Sequence, residues 1–232
     1  MYCHRMVVWE RPEPPSRPAL APLSRELIVR AAIRLADADG LDAVSLRKVA
    51  TALDAGPMRL YGYIESKEDL LDLMVDAVHA EIRPTGEGWR EVLRSLANAM
   101  RHAVHRHEWL ADLLGGRPQL GPHALATSET VMAALGDVGV DAAMPVVSAV
   151  NAYTIGAVRR EIAERRAERA TGMDEKKWQA TLGPYLTRTF ATGKLPALAT
   201  VVRDAVHLDA DETFRVGLDF LLDGIGARVS AP

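Results

Sequence analysis

The chain is poor in cysteine: Cys3 alone in 232 residues excludes a disulfide framework within the chain and argues against a cysteine-based zinc site. It also lacks a long apolar run, none approaching the roughly 18 residues that span a bilayer. The opening stretch MYCHRMVVWERPEPPSRP offers only Met6 to Trp9 as apolar sequence, too short for a secretory signal core. No membrane partner and a soluble, cytoplasmic protein are therefore expected. Charge of one sign is missing too. With 28 basic and 31 acidic residues the formal net charge is −3, which argues against coating nucleic acid through bulk charge. A small DNA-reading face on a near-neutral body remains compatible with it. Also absent are a Gly-rich phosphate loop, a nucleophile elbow and paired metal-ligand spacing, so no catalytic residue, metal ligand or cofactor is expected. No convincing segment alternates apolar and polar residues with period two.

What is present is apolar sequence at helical spacing. Hydrophobic residues make up 48% and charged residues 25%, too apolar for a disordered chain and enough for one sizeable core, or a small domain plus a medium one. Residues 1–22 carry Pro12, Pro14, Pro15, Pro18 and Pro22 without apolar period and read as a flexible or polyproline-like arm. Its Arg5, Arg11 and Arg17 are candidates to touch DNA phosphates or the minor groove. From Ser24, the stripe Leu27, Ile28, Ala31, Leu35 predicts a helix stopping at Asp39-Gly40. Ser45 caps a short second helix, Leu46–Leu53, and Pro57 opens a third, Pro57–Tyr63. Ser66, with Asp69 three residues on, starts a fourth that Pro84-Thr85-Gly86 ends. Further helices are predicted over Trp89–Val104, Leu110–Leu114, Pro122–Leu135, Asp141–Ala170, Glu175–Thr192 and Asp211–Val229. The fold class is all-α.

Two short helices around a glycine-containing turn, set between longer ones, suit a helix-turn-helix whose second short helix enters a major groove about 12 Å wide. Spacing alone is a weak signal, since many helical bundles contain such turns. The residues are more specific. Leu27 to Asp72, with Ser45-Leu46-Arg47-Lys48-Val49-Ala50, Leu60-Tyr61-Gly62-Tyr63-Ile64 and Ser66-Lys67-Glu68-Asp69-Leu70-Leu71, resembles the DNA-binding domain of TetR-family transcriptional regulators. Trp89, the Gly-Arg-Pro at 116–118, Ser148-Ala149-Val150, Thr154-Ile155-Gly156 and the segment Phe214–Arg228 more weakly resemble the regulatory domain of the tetracycline-repressor type. The expected organisation is an arm (1–22), a three-helix helix-turn-helix DNA-binding domain (23–70) and a helical ligand-binding and dimerisation domain (71–232).

The resemblance implies roles. Ser45 would cap the second helix at the groove edge, with Arg47 reading a base or phosphate and Lys48 a weaker candidate. Pro57, Met58, Arg59, Tyr61, Gly62 and Tyr63 would occupy exposed positions of the recognition helix. Arg59 could pair with guanine, Tyr61 with a phosphate, and Lys67 with a phosphate at the start of the fourth helix. Tyr61 and Tyr63 could instead be half-buried aromatics, and Lys48 plain surface. Gly62 stands where the family commonly has a bulky residue. Across residues 24–64, six basic groups face five acidic ones, so tight binding would need two domains acting together.

In the regulatory half, Leu113 stands in place of the family's metal-binding histidine, Arg160 in place of its acid, and Leu96 and Met100 at polar drug-contacting positions. A metal-chelated drug is therefore disfavoured and a small, more apolar effector fits better. Candidate contacts are Leu96, Met100, Leu113, Arg117, Val131, Asn151 and Tyr153, several of which could equally be core filler. His102, His105 and His107 beside Trp109 read as a solvated histidine-rich helix end rather than a metal site. The eighth and last helices, rich in small residues, are expected to form a homodimer. The whole reads as a repressor of a double-stranded DNA operator, with a helical adaptor carrying a vestigial helix-turn-helix as the alternative.

Overall fold

The computed structural model describes residues 7–15, 23–116, 119–206 and 208–229, and these contain eleven α-helices and no strand. The first helix, α1 (Arg25–Asp39), begins where Ser24 Oγ accepts the Leu27 N–H, and ends at Gly40, whose φ of 79° few other residues adopt. A single 3₁₀ turn at Leu41–Ala43 leads to α2 (Leu46–Ala52), started by Ser45 Oγ accepting from Lys48 N. The chain reverses through Asp54, left-handed at φ 49°, into α3 (Pro57–Leu60). That helix is shorter than the sequence spacing predicts. After Leu60 the N–H groups of Tyr63 and Ile64 both turn back to the Leu60 carbonyl at 2.9 Å, and both side chains enter the core. Ser66 Oγ then accepts from Asp69 N to start α4 (Lys67–His79).

The helical body comprises α5 (Gly88–Arg106), α6 (Leu110–Leu113), α7 (Pro122–Ala134), α8 (Val140–Thr171), α9 (Glu175–Phe190), α10 (Pro196–Asp204) and α11 (Ala210–Val229). The sequence reading contained no counterpart of α10. Helix α8 packs on α5, α6 and α11, while α7 packs on α4 and α5. Leu93, Val104, Val150, Val158, Phe214 and Leu218 fill the space between them.

Two polar joints tie the first four helices to this body. On α4, Asp76 is buried and its Oδ1 accepts from the His123 and Ala124 N–H groups at 3.0 Å, capping α7 from another helix. Gly121 is required there, because any Cβ would run into the Asp76 carboxylate. On α1, Asp37 Oδ1 lies 2.8 Å from His107 Nδ1 and accepts from Trp109 Nε1 at 2.7 Å. The segment around α6 is in turn clamped by α8. Arg166 grips Asp112 through two bonds of 2.9 Å, and Arg159 donates to the carbonyls of Ala111 and Leu114.

Candidate nucleic-acid interface

Helices α2, α3 and the start of α4 converge on one surface. Leu46, Val49, Ala50, Leu60, Ile64 and Leu70 point into the core and fix how the three elements sit. Their opposite faces carry the residues singled out from the sequence. Arg47 and Lys48 are exposed on α2, and Ser45 is spent on its cap, as expected. Pro57 and Met58 are exposed on α3, Met58 at 81%, and Arg59 is partly exposed. Tyr61 is 48% exposed, Gly62 is exposed with Pro14 close by, and Lys67 is exposed in the first position of α4. Tyr63 departs from the expectation: it is only 6% exposed, a core aromatic whose backbone carbonyl accepts from Arg25 Nε at 3.2 Å. The turn after Leu60 rotates it inward, so it offers no side chain to DNA.

The arrangement can engage a duplex in two ways. Helix α4 is long enough for its unsatisfied N–H groups to favour an anion, and Lys67 adds a charge beside them. The short α3 is narrow enough for a major groove, and Arg59 is the residue on it with the donor geometry for guanine.

Part of the segment read as a flexible arm is in fact seated on this head. Val8 is buried and Arg11 is paired with Glu65 and Asp69, so Arg11 is not a cation held out for DNA. Arg5 and Arg17 lie outside the described residues.

In the body, the expected effector contacts are spread over several elements. Leu96, Met100 and Val131 are buried, and Leu113 and Asn151 partly so. Arg117 lies outside the described residues. Tyr153 is committed elsewhere. Its hydroxyl donates to the Phe214 carbonyl at 2.7 Å, its ring packs on Phe214 at 5.6 Å, and it fills the space a side chain at Gly217 would take. It ties α8 to α11.

A cleft of about 620 Å³ lies between α5, α8, α9 and the start of α11, and among the described residues its lining includes none of Leu96, Met100, Leu113, Val131, Asn151 and Tyr153. Its floor is Glu161, 4% exposed, bonded to Arg101 Nε at 2.9 Å and His105 Nε2 at 2.6 Å. Burial opposes the Arg101 charge, but Glu161 and Asp211 outweigh it and hold the guanidinium above its ordinary pKa. Burial pushes the His105 ring below the usual histidine value, against the pull of Glu161. The cleft's floor is thus an ion-pair network within the protein, with His105 Nδ1 buried and left without a hydrogen-bond partner, a poor seat for an apolar ligand. Its signal was present in the sequence: Thr154, Val158, Glu161 and Ile162 share the inward stripe of α8, so a carboxylate at 161 had to find a partner.

The histidine-rich end of α5 also differs from expectation. His102 is exposed, but His107 is buried between Asp37 and Glu81, and His105 is taken by Glu161. A solvated helix end would have bonded to water; here two of the three rings bond carboxylates of other elements, His105 the buried Glu161 and His107 the exposed Asp37 and Glu81. Among the described residues, no group of three or more histidine, cysteine, aspartate or glutamate side chains could hold a metal ion. None of the described helices is long and apolar enough to cross a membrane.

Comparison with known proteins bears on the same two regions. Residues 28–74 match the family described as bacterial regulatory proteins, tetR family, and residues 83–229 match the tetracyclin repressor-like C-terminal domain. The chain is 33% identical over 231 residues to the HTH-type transcriptional repressor DrrR1 of Streptomyces coeruleorubidus, covering 97% of this chain and 85% of that one. It is 39% identical over 168 residues to an HTH-type transcriptional regulator of Saccharopolyspora erythraea, covering 70% and 71% of the two chains. Among solved structures, the Streptomyces coelicolor TetR family protein ActR in complex with actinorhodin superposes with a TM-score of 0.78 at 27% identity, over 91% of this chain and 99% of that one.

Proposed function

The chain belongs to the TetR family of bacterial transcriptional regulators, and from that membership we propose a repressor that reads a palindromic operator as a homodimer and releases it when a small, largely apolar effector enters the helical body. The observation that carries the DNA-binding half is the two-faced build of α2 to α4: Arg47, Lys48, Met58, Tyr61 and Lys67 open outward while Leu46, Leu60 and Ile64 of the same elements are locked in the core. In this reading Arg47 and Arg59 read bases or phosphates, Tyr61 and Lys67 hold the backbone, and Lys48 adds charge. Ser45 and Pro57 shape the helix starts, and Gly62 allows close approach.

A homodimer is supported by the apolar side chains left on the outer faces of α8 and α11. Val140, Met144 and Phe220 are exposed there, Phe220 at 73%. Pairing those faces as a four-helix bundle would set two recognition helices about 34–36 Å apart, one turn of DNA.

An effector is supported by the actinorhodin bound to ActR, and in this reading it would insert among the apolar core side chains Leu96, Met100 and Val131 and the adjoining Leu113. Asn151, half-buried on α8, is the polar candidate, and Arg117 the cation the family resemblance adds. The two polar joints are the means of transmission. Movement of α7 pulls on Asp76 of α4, and movement around α6 pulls on Asp37 of α1, so the head rotates with the body. The coupling needed is on the order of 1–3 kcal/mol.

The test is an electrophoretic shift with duplex DNA from upstream of the protein's own gene. Unmodified protein should give a specific, salt-sensitive band. Joint replacement of Arg47 and Tyr61 by alanine should weaken it by roughly tenfold or more while leaving the helical circular dichroism intact. Absence of any specific band for the unmodified protein would falsify the reading.

A further inference from the structure

Segment 7–15 makes contacts beyond those of the residues assigned to DNA reading. Val8 joins the core and Trp9 packs against it. The Arg11 carbonyl accepts from Arg25 Nη2 at 2.8 Å, and Glu13 Oε1 accepts from the Arg25 N–H, the first of α1, at 3.3 Å. The Arg11 side chain, 13% exposed, reaches Glu65 through Nη1 at 3.1 Å and Asp69 through Nη2 at 2.7 Å. Pro14 lies on the other side of the turn, where a Cβ added to Gly62 would come within 3.3 Å of Pro14 Cγ. One short strap therefore touches the start of α1, the turn that follows the recognition helix and the first turn of α4.

The charges give the contact a purpose. Glu65-Ser66-Lys67-Glu68-Asp69 sets three carboxylates around one lysine, at the helix start where a DNA phosphate has to arrive. Carboxylates there repel the phosphate that the helix amides and Lys67 attract. Arg11 lies against two of the three. Gly62 fits the same picture, because a side chain there would press on Pro14, which would have to give by a few tenths of an ångström.

We propose that residues 7–15 are a working part of the DNA-reading head, with Arg11 a positioning residue that binds the recognition turn to α4 and cancels Glu65 and Asp69 where a phosphate approaches Lys67. This rests on the DNA-binding reading given above. Arg11 itself does not touch the duplex; both its terminal nitrogens are held by carboxylates.

The experiment compares full-length protein, R11Q and the triple variant R11Q/E65Q/D69N on the duplex that the unmodified protein binds, with thermal melts as a folding control. R11Q should bind about tenfold more weakly, the size of one lost charge interaction. The triple variant, with the repelling carboxylates removed as well, should recover most of that loss. Should R11Q fail to fold, R11M and R11M/E65Q/D69N, which keep the buried stem, carry the same expectation. Equal binding by R11Q and unmodified protein overturns the proposal. So does a triple variant no better than R11Q, since Arg11 would then act by touching DNA directly or by structure alone. Failure of the unmodified protein to bind any duplex would instead remove the DNA-binding reading beneath it.

Discussion

His79 on α4 is half-buried, and both its ring nitrogens are buried without a hydrogen-bond partner within the protein. Burial pushes it below the ordinary histidine pKa, and His123 acts in the same direction while Asp76 opposes it. The folded protein thus keeps the ring neutral at a pH where the unfolded chain takes up a proton. Stability is full above the ordinary value of about 6.5 and is lost as pH falls below it. The urea midpoint is expected to decline between about pH 7.5 and 5.5, and His79→Leu should flatten that slope. An unchanged slope in the variant would move the effect to His105, which burial also depresses. Asp76, one turn earlier, shows why the sequence could not assign these groups. A lone aspartate on a helix reads as surface, and only the fold reveals that it caps the start of α7.

The helix starts were the most legible elements. Ser24, Ser45 and Ser66 each accept the N–H three residues on, at 3.2, 3.2 and 3.1 Å, and each stands where the apolar period begins. Ser66→Ala should cost about 1 kcal/mol, seen as a lower melting temperature with the helical signal retained. Because Ser66 also orders the amides beside Lys67, DNA affinity should fall with it. A melting temperature equal to that of unmodified protein would mean that the cap contributes nothing beyond geometry. The helix ends were less legible. The recognition helix stops at Leu60 because Tyr63 and Ile64 are drawn inward, a tertiary demand that local spacing does not carry. Helix α10 was missed although Pro196 marks its first turn and Leu198, Val201 and Val202 follow at helical spacing. These side chains stay exposed, so no buried stripe announced them.

At the scale of the whole molecule, the head is held to the body at Asp37 and Asp76, and Val140 and Met144 at the start of α8 and Phe220 on α11 remain exposed. Light scattering of the unmodified protein should give twice the chain mass of 25.3 kDa. Phe220→Glu, which sets a charge in the middle of the α11 face, should shift it to a single chain and weaken operator binding. A monomeric unmodified protein that still bound its operator tightly would remove the half-site geometry. The same scale explains the misplaced histidines. His107 and Trp109 belong to α5 and its continuation in sequence, yet their bonds are to α1, about 70 positions earlier (separations of 70 and 72).

The order of amino acids was sufficient for the all-helical class, the caps, the inward stripes and the family, because each depends on neighbours within one or two turns. Of the positions it offered as exposed on α2 to α4, Arg47, Lys48, Pro57, Met58, Tyr61, Gly62 and Lys67 are exposed, Arg59 is partly so and Tyr63 is buried. Tertiary structure alone decided which charges meet: Arg11 with Glu65 and Asp69, Arg101 with Glu161, Asp37 with His107, and Asp76 with α7. An ionisable side chain carries no mark of its partner in the local sequence. Burial, which makes the pairing necessary, arises only when distant helices close over it.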